Sequence, residues 1–255
     1  MTQIDAARAG ICTPEMKAVA AKEYKTPEEI RDAVAKGIIA IPANINHTTL
    51  DPEGVGEGLR TKVNVNLGIS GDLMDEEMEL EKARIALELG AEGIMDLSNH
   101  GKTREFRRKL LAMSSAMIGT VPMYDAIGYL EKPLIGITAQ DFLDVIRAHA
   151  EDGVDFVTVH AGMNRRVIES FKETGRLMNI VSRGGSLIFA WMEATGNENP
   201  FYEHYDEVLE ILHEYDVTIS IGDAMRPGCT YDASDAGQIA ELIEIGKLTK
   251  RAWDA

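Results

Sequence analysis

The chain has 255 residues, of which 45% are hydrophobic and 27% charged, and its formal net charge is −16. This length and apolar content suffice for a substantial core, and no run of about 20 apolar residues predicts a membrane-spanning helix. The negative charge argues against nucleic acid or an anionic membrane as a partner, because the field of the chain would repel both.

The N-terminal segment indicates the cellular compartment, and the number of cysteines indicates which metal or disulfide sites are possible. The N-terminal MTQIDAARAG has no basic segment followed by an apolar one, so we expect a cytoplasmic protein. Cys12 and Cys229 are the only two cysteines. Two thiols cannot complete a four-ligand metal or iron–sulfur site, and they do not indicate a secreted disulfide scaffold. We therefore predict no metal site among these residues.

Residues 1–60 read as an N-terminal cap of helical and extended elements, or as an oligomerisation element. Thr13-Pro14 and Thr26-Pro27 each predict the start of a helix, because Thr caps and Pro favours the first turn. The cluster Asn44 to His47 follows a short apolar segment. Such residues are typical of a surface turn, although they also suit the lining of a site.

A repeating strand–helix pattern begins at Lys62. The alternation in KVNVNLG predicts a strand with Asn64 and Asn66 on one face. Further strands are predicted at 93–97, 116–121, 156–160, 187–191 and 217–221, with helices at 75–89, 102–111, 138–150, 202–215 and 233–252. The first helix has an apolar stripe of Met78, Ile85 and Leu89. Pro122 to Tyr124 is predicted as an exit loop, and the basic run Lys102 to Lys109 as a solvated helix face.

Each predicted strand has one residue of interest at or close to its end: Asn66, Met95, Tyr124, His160, Trp191 and Asp223. These residues follow one another at spacings of 29 to 36, the size of a right-handed βα unit. The pattern predicts an α/β fold with an incomplete TIM-type (β/α) barrel of about six units over 61–255. A doubly wound sheet also has six parallel strands, but residues 66–71 match its Gly-rich loop poorly.

Several of these residues suit chemistry, and each has a plainer explanation. His160 is as compatible with a hydrogen-bonded barrel rim as with catalysis or ligand binding. Asp223 and Arg226 form either an ordinary ion pair or part of a site, since the adjacent Pro and Gly restrict the backbone. The SRGGS segment at 182–186 provides backbone N–H groups and a guanidinium for a phosphate, or is a simple turn.

Eight motifs resemble the ThiC family of non-standard radical S-adenosylmethionine (SAM) enzymes: IPANINH (41–47), KVNVNLGIS (62–70), GIMDLS (93–98), IGTVPMY (118–124), GVDFVTVHAG (153–162), IVSRGGS (180–186), GDAMRPG (222–228) and LTKRAW (248–253). The resemblance implies a TIM-barrel homodimer that rearranges aminoimidazole ribotide, a small anionic substrate. One branch makes hydroxymethylpyrimidine phosphate for thiamin. A paralogous branch makes 5-hydroxybenzimidazole for anaerobic cobalamin synthesis.

By this resemblance the substrate contacts are Asn66, Met95, Tyr124, His160, Ser182, Arg183, Gly184, Asp223, Ala224, Met225 and Arg226. Arg183 and nearby amides are expected at the phosphate, and Asp223 with Arg226 completes the clamp. Asn66, Tyr124 and His160 are expected at the ribose or imidazole, with His160 and Tyr124 as the candidate catalytic residues. These assignments are hypotheses that come from the resemblance.

Two loops depart from the thiamin branch and favour the benzimidazole branch. Thiamin-branch members read DLSTGG and DGLRPG where this chain has DLSNHG (96–101) and DAMRPG (223–228). The alternatives are the thiamin pyrimidine synthase and a ligand-binding or assembly protein without activity. A barrel aldolase is a weaker alternative, because no lysine stands at a predicted strand end to form a Schiff base.

The resemblance also implies cofactors that this sequence does not hold. Members use a 4Fe–4S cluster bound by C-x2-C-x4-C, SAM, and a divalent metal, expected to be zinc, held by a Glu and two histidines. These motifs are not found here. We therefore expect that these residues alone do not turn over, and that activity needs the remaining elements and an electron donor.

Overall fold

Five parallel strands form the sheet around which the chain folds. The structure is a computed structural model that describes residues 1–101, 103–130 and 132–255. The strands are β3 Asn64–Leu67, β4 Gly93–Asp96, β5 Met117–Thr120, β6 Phe156–Val159 and β7 Thr218–Ile221, in the order β3-β4-β5-β6-β7. Because β3 and β7 are the two edges, the sheet is not closed. The predicted α/β fold with an incomplete TIM-type barrel is confirmed.

The sheet is densely packed at its centre. All four residues of β5 are buried, as expected for a parallel sheet covered on both faces. A Cβ added to Gly119 in this strand would lie 2.1 Å from the Phe156 ring and 2.6 Å from Sδ of Met95. Only a residue without a side chain fits between these two neighbours.

Three short helices and a small antiparallel pair precede the sheet. They are α1 Gln3–Arg8, α2 Pro14–Lys22, α3 Pro27–Ala35, β1 Ile39–Ala40 and β2 Val55–Gly56. Thr13 and Thr26 cap α2 and α3 as predicted, each accepting a first-turn N–H. Helix α1 was not predicted, although Thr2 and Asp5 form a capping box at its start. These elements share a core that includes Met16, Val19 and Ile30.

Nine α-helices are described after the first strand of the sheet: α4 Glu76–Glu88, α5 Thr103–Met113, α6 Pro122–Tyr129, α7 Ala139–Asp152, α8 Arg165–Lys172, α9 Arg183–Thr195, α10 Pro200–Glu203, α11 Tyr205–Tyr215 and α12 Ala236–Asp254. None of the helices in the described part of the chain is both long and apolar enough to cross a membrane. The predicted exit loop at Pro122 to Tyr124 is wrong. Pro122 instead occupies the first turn of α6, a position that suits its fixed φ and missing N–H.

The predicted strand at 187–191 is also wrong, because these residues lie within α9. Ile188, Trp191 and Met192 are buried, and their spacing is that of one helical face rather than of a strand. Ser182 caps the helix by accepting the N–H of Gly185 at 3.1 Å. Trp191 is therefore no strand end; its Nε1–H donates to the carbonyl of Ile137 at 2.9 Å.

Two helix faces differ from prediction. On α4 the predicted stripe of Met78, Ile85 and Leu89 is exposed, and the buried face is formed by Glu79, Ala83 and Ala86. In the basic segment Lys102 lies outside the described residues, and the rest belongs to α5. Its Arg107 is not solvated but buried, 2.9 Å from the fully buried carboxylate of Asp152. The guanidinium can be buried because it pairs with a carboxylate on another helix.

The chain divides into two units. Unit 1 comprises Met1–Thr120, Ile146–Val157 and Ile211–Thr218. Unit 2 comprises Val121–Val145, Thr158–Glu210 and Ile219–Ala255. The sequence-based division into 1–60 and 61–255 stays a prediction.

A buried ion pair lies in unit 1, in the segment where the sequence suggested a surface turn or a site. Asn44 and His47 are 4% and 6% exposed. Nδ1 of His47 lies 2.7 Å from Oδ2 of Asp155, and Nε2 lies 3.1 Å from the carbonyl of Ser114. Because both partners only accept hydrogen bonds, the imidazole donates from both nitrogens. Burial alone would lower the pKa of His47, but the Asp155 carboxylate and the carbonyls of Ser114 and Leu111 together outweigh it and raise that pKa.

Candidate active site

The predicted site residues of unit 1 lie at the carboxyl ends of two neighbouring strands. Asn66 of β3 pairs in register with Met95 of β4, each one residue before its strand ends. Nδ2 of Asn64 donates to Oδ1 of Asn66 at 3.1 Å, which confirms that the two amides share a face. Asn66 is exposed and Met95 is partly buried. Their contact with substrate stays a prediction.

Unit 2 brings together most of the other predicted residues. His160 follows β6 directly, and Asp223 comes two residues after β7 ends. Ser182, Arg183 and Gly184 form the start of α9. The residues from Asp223 to Arg226, called here the 223–226 loop, follow the last strand.

His160 is the most unusual polar group of this cluster. Its side chain is buried, and Nε2 lies 3.0 Å from Oγ of Ser182. Among the residues that the structure describes, Nδ1 meets no hydrogen-bonding partner. Burial is the main cause that lowers the pKa of His160 to about 4, and the positive charge of Arg226 contributes in the same direction. The imidazole is therefore neutral at pH 7, with one nitrogen available to a ligand.

Two glycines give the His160 ring its space. A Cβ added to Gly184 would lie 2.3 Å from Cε1 of His160, and one added to Gly222 would lie 3.2 Å from Nε2. Real Cβ contacts do not reach the first distance, so any side chain at position 184 displaces the ring. Gly184 therefore leaves the space that the imidazole occupies, and Gly222 leaves its Nε2 edge uncrowded.

The start of α9 suits an anion. The predicted SRGGS turn is instead the N-cap and first turn of a 13-residue helix, whose first N–H groups have no partner within the helix. The dipole of a helix also favours negative charge at this end. The exposed guanidinium of Arg183 lies over the Tyr124 ring, with Cζ 5.2 Å from the ring centroid. The arrangement provides both backbone and side-chain donors to an oxyanion.

The 223–226 loop has a buried middle and charged ends. Ala224 and Met225 are fully buried. Nη1 of Arg226 lies 3.8 Å from Oδ1 of Asp223 and donates to the Asp223 carbonyl at 3.2 Å. Both side chains are about half exposed, so this pair contributes little to stability. The two charged groups are accessible to a ligand.

The residues of this chain do not fit the implied cluster or metal. A 4Fe–4S cluster takes its ligands mainly from cysteine thiolates, and the sequence has only Cys12 and Cys229. Within the described ranges, no group of three or more His, Cys, Asp or Glu side chains is arranged to hold a metal ion.

Two buried charged residues near the 223–226 loop were missed by sequence reasoning. Glu241 accepts the N–H groups of Ala224 and Met225, and Arg176 donates to the carbonyl of Met225. One signal was present in the sequence, because Glu241 stands on the buried face of an amphipathic helix, where a carboxylate needs a partner. The spacing of residues along the sequence does not indicate which group that partner is.

Residues 2–255 match the model described as the Radical SAM ThiC family. A phosphomethylpyrimidine synthase of Alkaliphilus oremlandii is 61% identical over 253 residues, which are 99% of this chain and 58% of that protein. Those of Pelotomaculum thermopropionicum and Clostridium tetani are 60% and 61% identical, covering 99% of this chain and 59% and 55% of their own length. The chain spans less than three fifths of the length of these curated relatives.

The names of these relatives correct one expectation. The loops DLSNHG and DAMRPG were interpreted as favouring the benzimidazole branch. Relatives that are about 60% identical along 99% of the chain are named for a phosphorylated pyrimidine instead. Two short loop differences carry less weight than this likeness along the whole chain.

Proposed function

The chain belongs to the radical SAM ThiC family, and from that premise we propose that it is the substrate-binding part of a phosphomethylpyrimidine synthase acting on aminoimidazole ribotide. Support comes from the family match over residues 2–255 and from relatives of that name. The enzyme would make hydroxymethylpyrimidine phosphate for thiamin. The benzimidazole product is not proposed.

One observation carries the proposal: a neutral, buried His160 with a free Nδ1 lies beside the start of α9, which suits an anion. The substrate combines a phosphate dianion with a polar heterocycle and a ribose. Arg183 and the first-turn amides other than that of Gly185, which Ser182 caps, suit a phosphate in charge and hydrogen bonding. A neutral imidazole offers Nδ1 to the ring or the sugar without adding a second buried charge.

Each group of unit 2 then has a limited task. Tyr124 holds the Arg183 guanidinium by a cation–π contact. Ser182 both caps α9 and contacts Nε2 of His160, which links the orientation of the imidazole to the phosphate site. Arg226 supplies a second positive charge. When bound in the whole protein, SAM and the cluster would supply the radical chemistry, and the residues described here bind and orient the substrate.

The product distinguishes the proposed function from its rivals. The protein encoded by the complete reading frame, loaded with cluster and SAM and supplied with a reductant, is expected to convert aminoimidazole ribotide to hydroxymethylpyrimidine phosphate. Mass spectrometry of the reaction identifies the product. Formation of 5-hydroxybenzimidazole would overturn the proposal. Ribotide binding without any product would favour the ligand-binding or assembly alternative.

Replacing Arg183 by lysine is expected to weaken binding of aminoimidazole ribotide by about tenfold. Lysine keeps the charge but loses the bidentate geometry and the stacking on Tyr124, together worth about 1–2 kcal/mol. Isothermal titration calorimetry measures the affinity. Arg251→Lys is a matched control, because Arg251 also lies over a tyrosine ring, with Cζ 5.1 Å from the centroid of Tyr205. The affinity of this variant for ribotide should not change. Equal affinities for both variants would refute the phosphate role of Arg183.

From the family resemblance alone we also propose a homodimer, an external electron donor and a divalent metal, with zinc as the expected ion. None of these rests on a residue described above. Gel filtration with light scattering tests the first, and metal analysis of the protein from the complete reading frame tests the last.

A further inference from the structure

We propose that Glu241 is a positioning residue, which holds the 223–226 loop in the conformation that receives the substrate. The inference rests on the proposed function for the identity of the ligand. The geometry of the loop stands independently of it.

Both carboxylate oxygens of Glu241 form hydrogen bonds to the backbone of the loop. Its Oε1 accepts the N–H of Ala224 at 2.8 Å, and its Oε2 accepts the N–H of Met225 at 2.6 Å. The residue is 1% exposed. Two charge-assisted hydrogen bonds to consecutive amides fix the direction of the peptide planes between them. The loop is therefore held at its buried middle, while Asp223 and Arg226 stay accessible.

Arg176 binds the same loop on the other side of Met225, at the peptide group that follows this residue. Its Nη2 donates to the carbonyl of Met225 at 2.6 Å. The guanidinium also forms a bidentate pair with Asp235, at 2.6 and 2.7 Å. Asp235 caps α12, the helix that carries Glu241. Both the N–H and the C=O of Met225 are thus bound by charged groups that are anchored on α12.

The position of Glu241 connects this loop with the neighbouring site elements. A Cβ added to Gly162, two residues after His160, would lie 3.0 Å from Cγ of Glu241. A Cβ added to Gly185, in the first turn of α9, would lie 2.7 Å from Cβ of Ala224. Glu241 therefore packs against the segment after His160 while it fixes the loop that contacts α9. Moving the loop would change the distance between Arg226 and the proposed phosphate site.

Placing a carboxylate here has an electrostatic cost. Burial raises the pKa of Glu241 to about 7, and the negative charge of Asp223 acts in the same direction. The two backbone N–H groups and Arg176 oppose that shift. A neutral apolar residue would fill the space without this cost. The two hydrogen bonds to the 223–226 loop explain why a carboxylate stands at position 241.

A similar contact holds the backbone that follows β3. Glu79, on the helix after β3, is 3% exposed, and its Oε2 accepts the N–H of Gly68 at 2.8 Å. Gly68 directly follows β3, just as the 223–226 loop follows β7. In both cases a helical glutamate binds the backbone that leaves a strand of the sheet.

Glu241→Gln tests the proposal by two measurements. The amide has one acceptor oxygen and an NH₂ group that faces a backbone N–H, so at least one hydrogen bond is lost. Hydrogen exchange of the peptide covering 222–228, followed by mass spectrometry, is expected to speed up by about tenfold, and ribotide affinity to fall by about the same factor. The circular dichroism spectrum should be unchanged. Glu244→Gln is the matched control, because the carboxylate of Glu244 pairs with Lys247 on the same helix.

The two measurements separate this inference from the proposed function. Unchanged hydrogen exchange over 222–228 in Glu241→Gln would refute the positioning role, whether or not ribotide binds. Faster exchange with unchanged ribotide affinity would refute the link between the loop and the substrate. If the unmodified protein does not bind ribotide, the proposed function fails, while the exchange result still decides whether Glu241 holds the loop.

Discussion

Replacing Asp155 by alanine is expected to destabilise the protein by about 3–5 kcal/mol, the usual cost of removing one partner from a buried ion pair. Its carboxylate is fully buried and accepts three hydrogen bonds, from the N–H of Asn44 at 3.1 Å, Nδ1 of His47 at 2.7 Å and the N–H of Ile118 at 2.7 Å. Alanine leaves all three donors unpaired, one of them charged. Urea denaturation followed by circular dichroism measures the loss.

Asp51→Ala is the matched control for this substitution. Asp51 also pairs with a cation, Lys22 at 2.8 Å, but its side chain is 64% exposed, so its removal should cost less than about 1 kcal/mol. A similar loss of stability in both variants would contradict the view that burial of Asp155 makes its ion pair important.

The effect of Asp155→Ala should also depend on pH. The folded pKa of His47 lies above its unfolded value, so the pair contributes fully below the unfolded value and less as pH rises through the folded one. The difference between unmodified and variant protein is therefore expected to shrink at high pH. A difference that grows with pH would exclude a protonated His47.

Replacing Gly184 by alanine is expected to weaken ribotide binding by at least about tenfold without unfolding the protein. The new methyl group would lie 2.3 Å from Cε1 and 2.5 Å from Nδ1 of His160, so the buried ring must move. Overpacking of this kind costs about 1–3 kcal/mol, and a loss of about 1.4 kcal/mol in binding corresponds to a factor of ten. Calorimetric titration with ribotide, together with the thermal midpoint, separates binding from stability.

Gly246→Ala is the matched control for Gly184→Ala. Gly246 is also helical, and an added Cβ there has nothing within 4 Å. Alanine should stabilise its helix by up to about 1 kcal/mol and leave ribotide affinity unchanged. If Gly184→Ala bound ribotide as tightly as the control, the His160 ring would not be part of the binding site.

Local signals explain what was predictable about the fold. The strands at 64–67, 93–96 and 117–120 and the helix starts after Thr13 and Thr26 follow from alternation, β-branched content and capping residues within a few positions. The segment at 187–191 shows the limit of such signals. A short apolar run suits a buried strand or a buried helix, and only its packing distinguished the two.

Distant partners explain what was not predictable. His47 and Asp155 are 108 positions apart, yet their contact turns an apparent surface cluster into a buried ion pair. Glu241 reaches the 223–226 loop from 17 positions away, on a helix whose orientation the sequence does not state.

From the sequence alone, five of the six predicted strands, the family and the places of Asn66, Met95 and His160 at or next to strand ends could be derived, because these depend on neighbours along the chain and on motif identity. Which of those residues are buried, charged or paired depends on the folded structure. Burial, pKa and hydrogen bonding depend on groups brought together by folding, and the neutral His160 with its free nitrogen is the clearest case.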